Sequence, residues 1–213
     1  AEGDYAPALE VIGDVKVILS QILDSYSPNH SWKEAEQRDF KSRVRAKLQP
    51  SASASSKGLS PYHLTLKLRQ ILSPSAVLTT DVGAHKLLLG QLWEAYEPLT
   101  FFMSNGLSSM GYGFPAAMAA RLQFPDREVV SVCGDGGFAM MLQDLETAVR
   151  LKLPLVCIVF CDNTMSLIRV VQSRREYPDY GVGFGGTNLA GIARGFGACG
   201  EKVDTLEDFE RAV

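Results

Sequence analysis

Apolar positions along the chain follow two rhythms, one before and one after a polar stretch at residues 49–58. In the first part, "ALEVIG" (8–13) is a short run that predicts a strand. "DVKVILSQILDSY" (14–26) then places Val15, Ile18, Leu19 and Ile22 on one helical face, with Asp14 positioned to cap it. "SWKEAEQRDFKSRVRAKL" (31–48) opens with Ser31 and Glu34 at capping-box spacing and is charged nearly all round, which predicts a solvated or bridging helix. The stretch at 49–58, "QPSASASSKG", has the composition of a flexible linker.

Beyond the linker, strands and helices alternate. Ser60 and Pro61 form a cap and first-turn pair for "YHLTLKLRQIL", "AVLTTDVG" (76–83) reads as a strand ending in a turn, and "HKLLLGQLWEAY" (85–96) as a helix. "LTFFMS" (99–104) is a further strand, and "SMGYGFPAAMAARL" (109–122) a helix rich in small residues and so closely packed. "EVVSVCG" (128–134) and "LPLVCIVFC" (153–161) are apolar runs without alternation, separated by a helical stretch over 138–152. Unalternating apolar strands joined by helices are buried on both faces. The expected fold class is therefore α/β: a doubly wound, mainly parallel sheet with helices on both faces, preceded by a strand-helix piece of another domain.

Composition narrows the partners more than the fold. With 46% hydrophobic and 21% charged residues and a formal charge of -3, the chain offers no electrostatic case for nucleic acid or an anionic membrane. No apolar run reaches the ~18 residues that span a bilayer, and "AEGDYAPALE" has neither a basic nor an apolar leader region, so a cytoplasmic location is expected. Cys133, Cys157, Cys161 and Cys199 are scattered without a zinc-ligand pattern and read as free thiols of a reducing compartment.

In a doubly wound sheet, ligands sit outside the carboxyl ends of the strands, so the turns that follow strands carry the candidate chemistry. In "GDGG" (134–137) glycines allow a phosphate to approach main-chain N–H groups closely, and Asp135 adds a hard oxygen ligand. "CDNT" (161–164) supplies further oxygens at the end of the next strand, and parallel neighbours lie about 4.8 Å apart, so both turns can share one ion. Two readings stand at this level: a magnesium-phosphate site, or carboxylates that merely cap a turn.

"GDGGF" followed by "DNT", with Asp162 lying 27 positions after Asp135, resembles the thiamine-diphosphate binding motif of the 2-oxoacid decarboxylase and carboligase superfamily. "TDVGAHK", "SNGLSSMGYGFPAAMAARL", "QDLETAVRLKLPL" and "GACGEKV" extend the likeness, in order, to the C-terminal diphosphate-binding domain of the acetolactate synthase family. On that resemblance, 1–48 would be the end of a central domain with a connecting helix, 49–58 a linker, and 59–213 the diphosphate-binding domain, lacking a final strand at its C-terminal end. The resemblance also implies thiamine diphosphate and Mg²⁺ as cofactors. Asp135, Asp162 (usually Asn in the family) and the carbonyl of Thr164 would ligate the metal, with Asn163 as the alternative second side chain. Gly134, Gly136 and Gly137 would hold the diphosphate, touched from the other side by Gly83, Ala84 and His85. Met110 would bend the cofactor and the Ser108 carbonyl accept from its aminopyrimidine. Ser166, Leu167 and Ile168 would line the path from diphosphate to substrate.

The implied activity is decarboxylation of a 2-oxoacid, in the acetolactate synthase case pyruvate to acetolactate, by a homodimer or homotetramer in which a neighbouring subunit's pyrimidine domain completes the site. No residue of this chain is assigned as catalytic, and alone it is expected to be silent. Ala84, Ser108 and Val171 stand where synthases often carry Gln, Gly and Trp, departures that bear on the substrate. The alternatives are another thiamine-dependent decarboxylase or oxidase, or a non-catalytic interaction domain retaining the fold. "GVGFGG" (181–186) and "GFGACG" (195–200) fit the spacing of a dinucleotide fingerprint but lack its strand-turn-helix setting.

Overall fold

The computed structural model describes residues 7–27, 33–50 and 58–213, and the chain divides into two compact units, Ala1–Ala46 and Lys47–Val213. In the first, helix α1 (Val15–Ser25) forms as the pattern requires: Asp14 accepts the Val17 N–H at 3.0 Å, satisfying one of the donors a helix start leaves open. The strand expected at 8–13 is not formed; Leu9, Val11 and Ile12 are exposed in an irregular segment. A strand is stabilised by its pairing, and among the described residues this segment has no neighbour to pair with. Helix α2 (Glu34–Leu48) carries the expected charged surface, with ion pairs between Glu34 and Arg38 (2.9 Å) and between Asp39 and Arg43 (3.0 Å). Ser31, half of the anticipated capping box, lies outside the described residues; the Lys33 N–H donates to Glu36 instead, at 3.4 Å. Most of the anticipated linker lies outside them as well.

The second unit is built on four parallel strands, β1 (Val77–Thr80), β2 (Phe101–Met103), β3 (Val129–Gly134) and β4 (Val156–Phe160), in the order β2-β1-β3-β4. Alternate side chains enter opposite layers, as the period of a strand dictates. Leu78, Val130 and Val132 pack under α3 (Pro61–Ile71), α4 (Ala84–Leu92) and α10 (Leu206–Ala212) through Leu64, Leu68, Leu89 and Phe209. Val77, Val129 and Cys133 face α5 (Gly113–Gln123), α6 (Asp135–Ala139) and α7 (Asp144–Arg150). This is the α/β sheet with helices on both faces that the apolar runs predict. Burial on both sides is why those runs do not alternate.

Several boundaries move. The stretch 138–152 is not one helix: α6 ends at Ala139, and the N–H groups of Met140 and Met141, and of Asp144 and Leu145 at the start of α7, bond carbonyls three residues back. The tight turns bring Met141 against Gly111 while Leu145 and Ala148 still reach the core. The small residues of α5 do allow close approach, since a Cβ at Gly113 would lie 2.7 Å from the Asp81 nitrogen. Two further helices follow β4, α8 (Ser166–Arg174) and α9 (Leu189–Gly195). The cysteines are free thiols. Cys157 is pushed well up by its hydrogen bond with Cys133 and then by burial. Among the described residues no helix is long and apolar enough to cross a membrane.

The chain leaves β1 outward to β2 and returns to place β3 on the other side of β1. The turns after β1 and β3 therefore diverge, opening a crevice at their carboxyl ends.

Candidate functional site

Asp135 begins α6 where β3 ends and is 7% exposed. Its carboxylate joins two turns: Oδ2 accepts the N–H groups of Asp162 (3.0 Å) and Asn163 (2.8 Å), and Oδ1 accepts that of Gly136 (2.8 Å). The register explains the reach, since Gly134 is paired directly with Phe160, two residues before Asp162. Main-chain donors fix the orientation of the carboxylate while using three of its roughly four lone-pair sites. The Gly136 N–H, expected to face a phosphate, is thus occupied by the neighbouring carboxylate.

The second turn is stitched as firmly. Asp162 Oδ1 accepts the Thr164 N–H at 3.1 Å, and Oδ2 accepts a short bond from the Ser166 hydroxyl at the start of α8. Asn163 has φ 57°, a left-handed conformation that Asn tolerates better than most residues. Its carbonyl accepts from Phe184, while Thr164 bridges Gly183 and donates its hydroxyl to the Val182 carbonyl. "GVGFGG" is therefore a brace for the "CDNT" turn, not a dinucleotide fingerprint. Leu167 and Ile168 follow in the first turn of α8, Ile168 half-exposed. In the basic run beyond them, Arg169 pairs with Asp179 at 2.8 Å on the surface.

His85 enters from the turn after β1, beside Ala84, the first residue of α4. A Cβ added at Gly83 would lie 2.8 Å from the ring and one at Gly134 3.3 Å, so the imidazole sits where both glycines leave room, with the Phe160 ring edge-on at 6.1 Å. Its Nε2 is buried without a partner. Burial lowers the His85 pKa from its ordinary 6.5, against the charge of Asp81, a main-chain hydrogen bond to Asp81 and the charges of Asp162 and Asp135.

A depressed histidine pKa makes the unfolded chain the better proton acceptor between the folded value and 6.5. The His85 contribution to stability is therefore complete above that window and is lost as pH falls through it. The urea midpoint should drop as pH falls below 6.5, and less so in His85→Gln. An equal drop in the variant would clear His85 of the effect.

Two methionines flank the first turn. A Cβ at Gly136 would be 3.0 Å from the Met165 sulfur and 3.6 Å from the Met110 methyl. Met165 is absent from the sequence-derived set although it lies between Thr164 and Ser166; a flexible thioether there gives no signal without the fold. Ser108, at φ 49°, is held by Lys86, whose ammonium donates to the Ser108 hydroxyl (3.2 Å) and to the Ser104 carbonyl. Lys86 is likewise a residue the motif alone does not single out.

The donor set fits a hard divalent cation shared with phosphate oxygens. Asp135 retains a free lone-pair direction, Asp162 and main-chain carbonyls add oxygen, and the orphaned His85 Nε2 lies in the neighbouring turn. Among the described residues no cluster of three or more His, Cys, Asp or Glu could cage a metal by itself. Magnesium held by one or two carboxylates plus ligand phosphates needs no such cage.

Residues 81–213 match the family described as thiamine pyrophosphate enzyme, C-terminal TPP binding domain. An acetolactate synthase of Bacillus subtilis (strain 168) is 34% identical over 204 residues, 94% of this chain and 36% of the relative. A pyruvate oxidase of Lactiplantibacillus plantarum is 30% identical over 211 residues, covering 96% and 35%. Among solved structures, a thiamine diphosphate-dependent 4-hydroxybenzoylformate decarboxylase of Rhodococcus jostii RHA1 superposes with a TM-score of 0.70 at 25% identity, over 76% of this chain and 31% of that one. The chain spans about a third of the length of these relatives. The family match begins at Asp81, in the first of the turns just described, and runs through all the others: the chain belongs to the thiamine pyrophosphate enzyme family and carries its C-terminal TPP-binding domain.

Proposed function

We propose that the protein binds the diphosphate of thiamine diphosphate through Mg²⁺ as part of a 2-oxoacid decarboxylase or carboligase, with acetolactate synthase-like conversion of pyruvate as its reaction. The observation that carries this reading is the Asp135 carboxylate, held by the amides of Asp162 and Asn163 across the ends of β3 and β4. Asp135, Asp162 and the Thr164 carbonyl are the metal ligands. The Asn163 amide lies against Gly186, where a Cβ would meet its Oδ1 at 3.6 Å, which favours Asp162 as the second side-chain ligand. Gly134, Gly136 and Gly137 keep side chains out of the diphosphate's path, and Gly83, Ala84 and His85 close on it from the turn after β1.

The thiamine ring system, when bound, supplies an electron acceptor for the bond broken as a 2-oxoacid loses CO₂. The chain's part is orientation and exclusion. Met110 and Met165 wall the space over Gly136, the Ser108 carbonyl would accept from the aminopyrimidine, and Ser166, Leu167 and Ile168 would border the substrate side. A neighbouring subunit's pyrimidine domain completes the site in a homodimer or homotetramer, in the cytoplasm.

The full-length protein incubated with pyruvate, thiamine diphosphate and Mg²⁺ should form acetolactate. Acetaldehyde or an acyl phosphate instead would move the assignment to a decarboxylase or an oxidase, the latter the activity named for the Lactiplantibacillus relative. Cofactor binding with no CO₂ released from any 2-oxoacid would leave a non-catalytic domain that has kept the fold.

A further inference from the structure

Asp81 directly follows β1 and has no exposed surface. Its main-chain N–H donates to the Val132 carbonyl of β3 at 2.9 Å. Oδ1 accepts the Tyr112 N–H at 3.0 Å, two residues beyond Met110. Oδ2 lies against the "GDGG" turn, where a Cβ at Gly137 would come within 1.7 Å of it. The His85 ring makes a main-chain hydrogen bond to Asp81 and feels its charge.

The Oδ2 atom is buried and has no hydrogen-bond partner. Losing hydration without a compensating bond is costly for a carboxylate, and such exceptions among buried polar groups call for an explanation. Filling space does not supply one, because an apolar side chain of similar size would fill the same volume without the loss. What only an acceptor at this position supplies is the bond to Tyr112, made from the same side chain that bears on Gly137.

We propose that Asp81 is a positioning residue of the cofactor cradle: its carboxylate ties the Met110 loop to the end of β1 and sets that loop's distance from the "GDGG" turn. Asp81 is not among the residues proposed to hold the metal or the diphosphate. It acts through Met110, Gly137 and His85, which do border them in the proposed function, and the inference rests on that reading. Supporting residues of this kind change affinity while leaving the ligands themselves in place.

The test compares Asp81→Ala and Asp81→Asn with wild type in the full-length protein, by amide hydrogen exchange without cofactor and by titration with thiamine diphosphate at saturating Mg²⁺. Ala removes the acceptor. Exchange across 108–114 should rise while the strand segments 77–80 and 129–133 stay protected, and cofactor affinity should fall by about 10- to 100-fold. Asn keeps an oxygen for Tyr112 and should restore protection at 108–114 and most of the affinity. A merely structural side chain would give a lower melting temperature in Asp81→Ala with affinity within about twofold of wild type, and that result would overturn the proposal. Unchanged exchange at 108–114 in Asp81→Ala would overturn it too. Wild type failing to bind the cofactor would sink the functional reading instead, and the exchange measurement would then decide alone whether Asp81 is a tether.

Discussion

Gly137→Ala loses about 3 kcal/mol of stability or more, the upper end of what overpacking costs, and loses the cofactor with it. The added methyl would sit 1.7 Å from Asp81 Oδ2, an atom enclosed between β1, α5 and the "GDGG" turn with nowhere to move. Helix propensity works in the opposite direction. Gly137 lies inside α6, where alanine is otherwise favoured by about 1 kcal/mol, so any net loss must come from the collision. Gly136→Ala is the control. Its methyl would meet the end of Met165 at 3.0 Å, and a thioether can swing aside, so the cost there is about 1 kcal/mol or less. Urea unfolding of both variants checks the contrast; equal stability would mean that Asp81 and Gly137 are not packed as described.

Asp135→Ala has the largest effect on ligand binding. It removes a proposed metal ligand and leaves the N–H groups of Asp162 and Asn163 without their acceptor, at roughly 1–3 kcal/mol for each one that stays buried. Affinity for the magnesium-diphosphate unit should fall by at least about 100-fold, some 2.7 kcal/mol. Asp135→Asn separates the two roles. Its amide oxygen still accepts from the main chain and recovers much of the stability, but a neutral ligand does not restore the metal. Binding in Asp135→Asn equal to wild type would show that the carboxylate is a structural clasp and nothing more.

The elements that could be read in advance are those whose signal is local. Four apolar runs became four parallel strands because burial on both faces writes itself into each run separately. Asp14 and Pro61 marked helix starts because caps act within one turn. The strand expected at 8–13 failed for the opposite reason: "ALEVIG" carries the propensity, but pairing depends on a neighbour that the segment cannot specify. The break at Met140–Gln143 places Met141 against Gly111, some thirty residues earlier in the chain, a long-range contact that no local pattern announces.

The site divides in the same way. Asp135, Asp162 and the glycines stand out because each lies in a turn that directly follows an apolar run, and the fold brings these turns together at adjacent strand ends. Met165, Lys86 and Asp81 carry no such mark. A methionine, a lysine and an aspartate gain their meaning only from what lies across the crevice: Gly136 for the first, Ser108 for the second, Gly137 and Tyr112 for the third. "GVGFGG" shows the reverse error that spacing alone invites, because Val182, Gly183 and Phe184 brace the "CDNT" turn instead of opening a nucleotide-binding helix.

In the proposed function, Asp135 and Asp162 form a clamp that grips a diphosphate only through a divalent cation. Calorimetric titration of the full-length protein with thiamine diphosphate, with Mg²⁺ and again after chelation by EDTA, tests it most directly. Saturable binding with one cofactor per chain is expected when Mg²⁺ is present, and its loss after chelation. Equal binding in EDTA, or none under either condition, would contradict it.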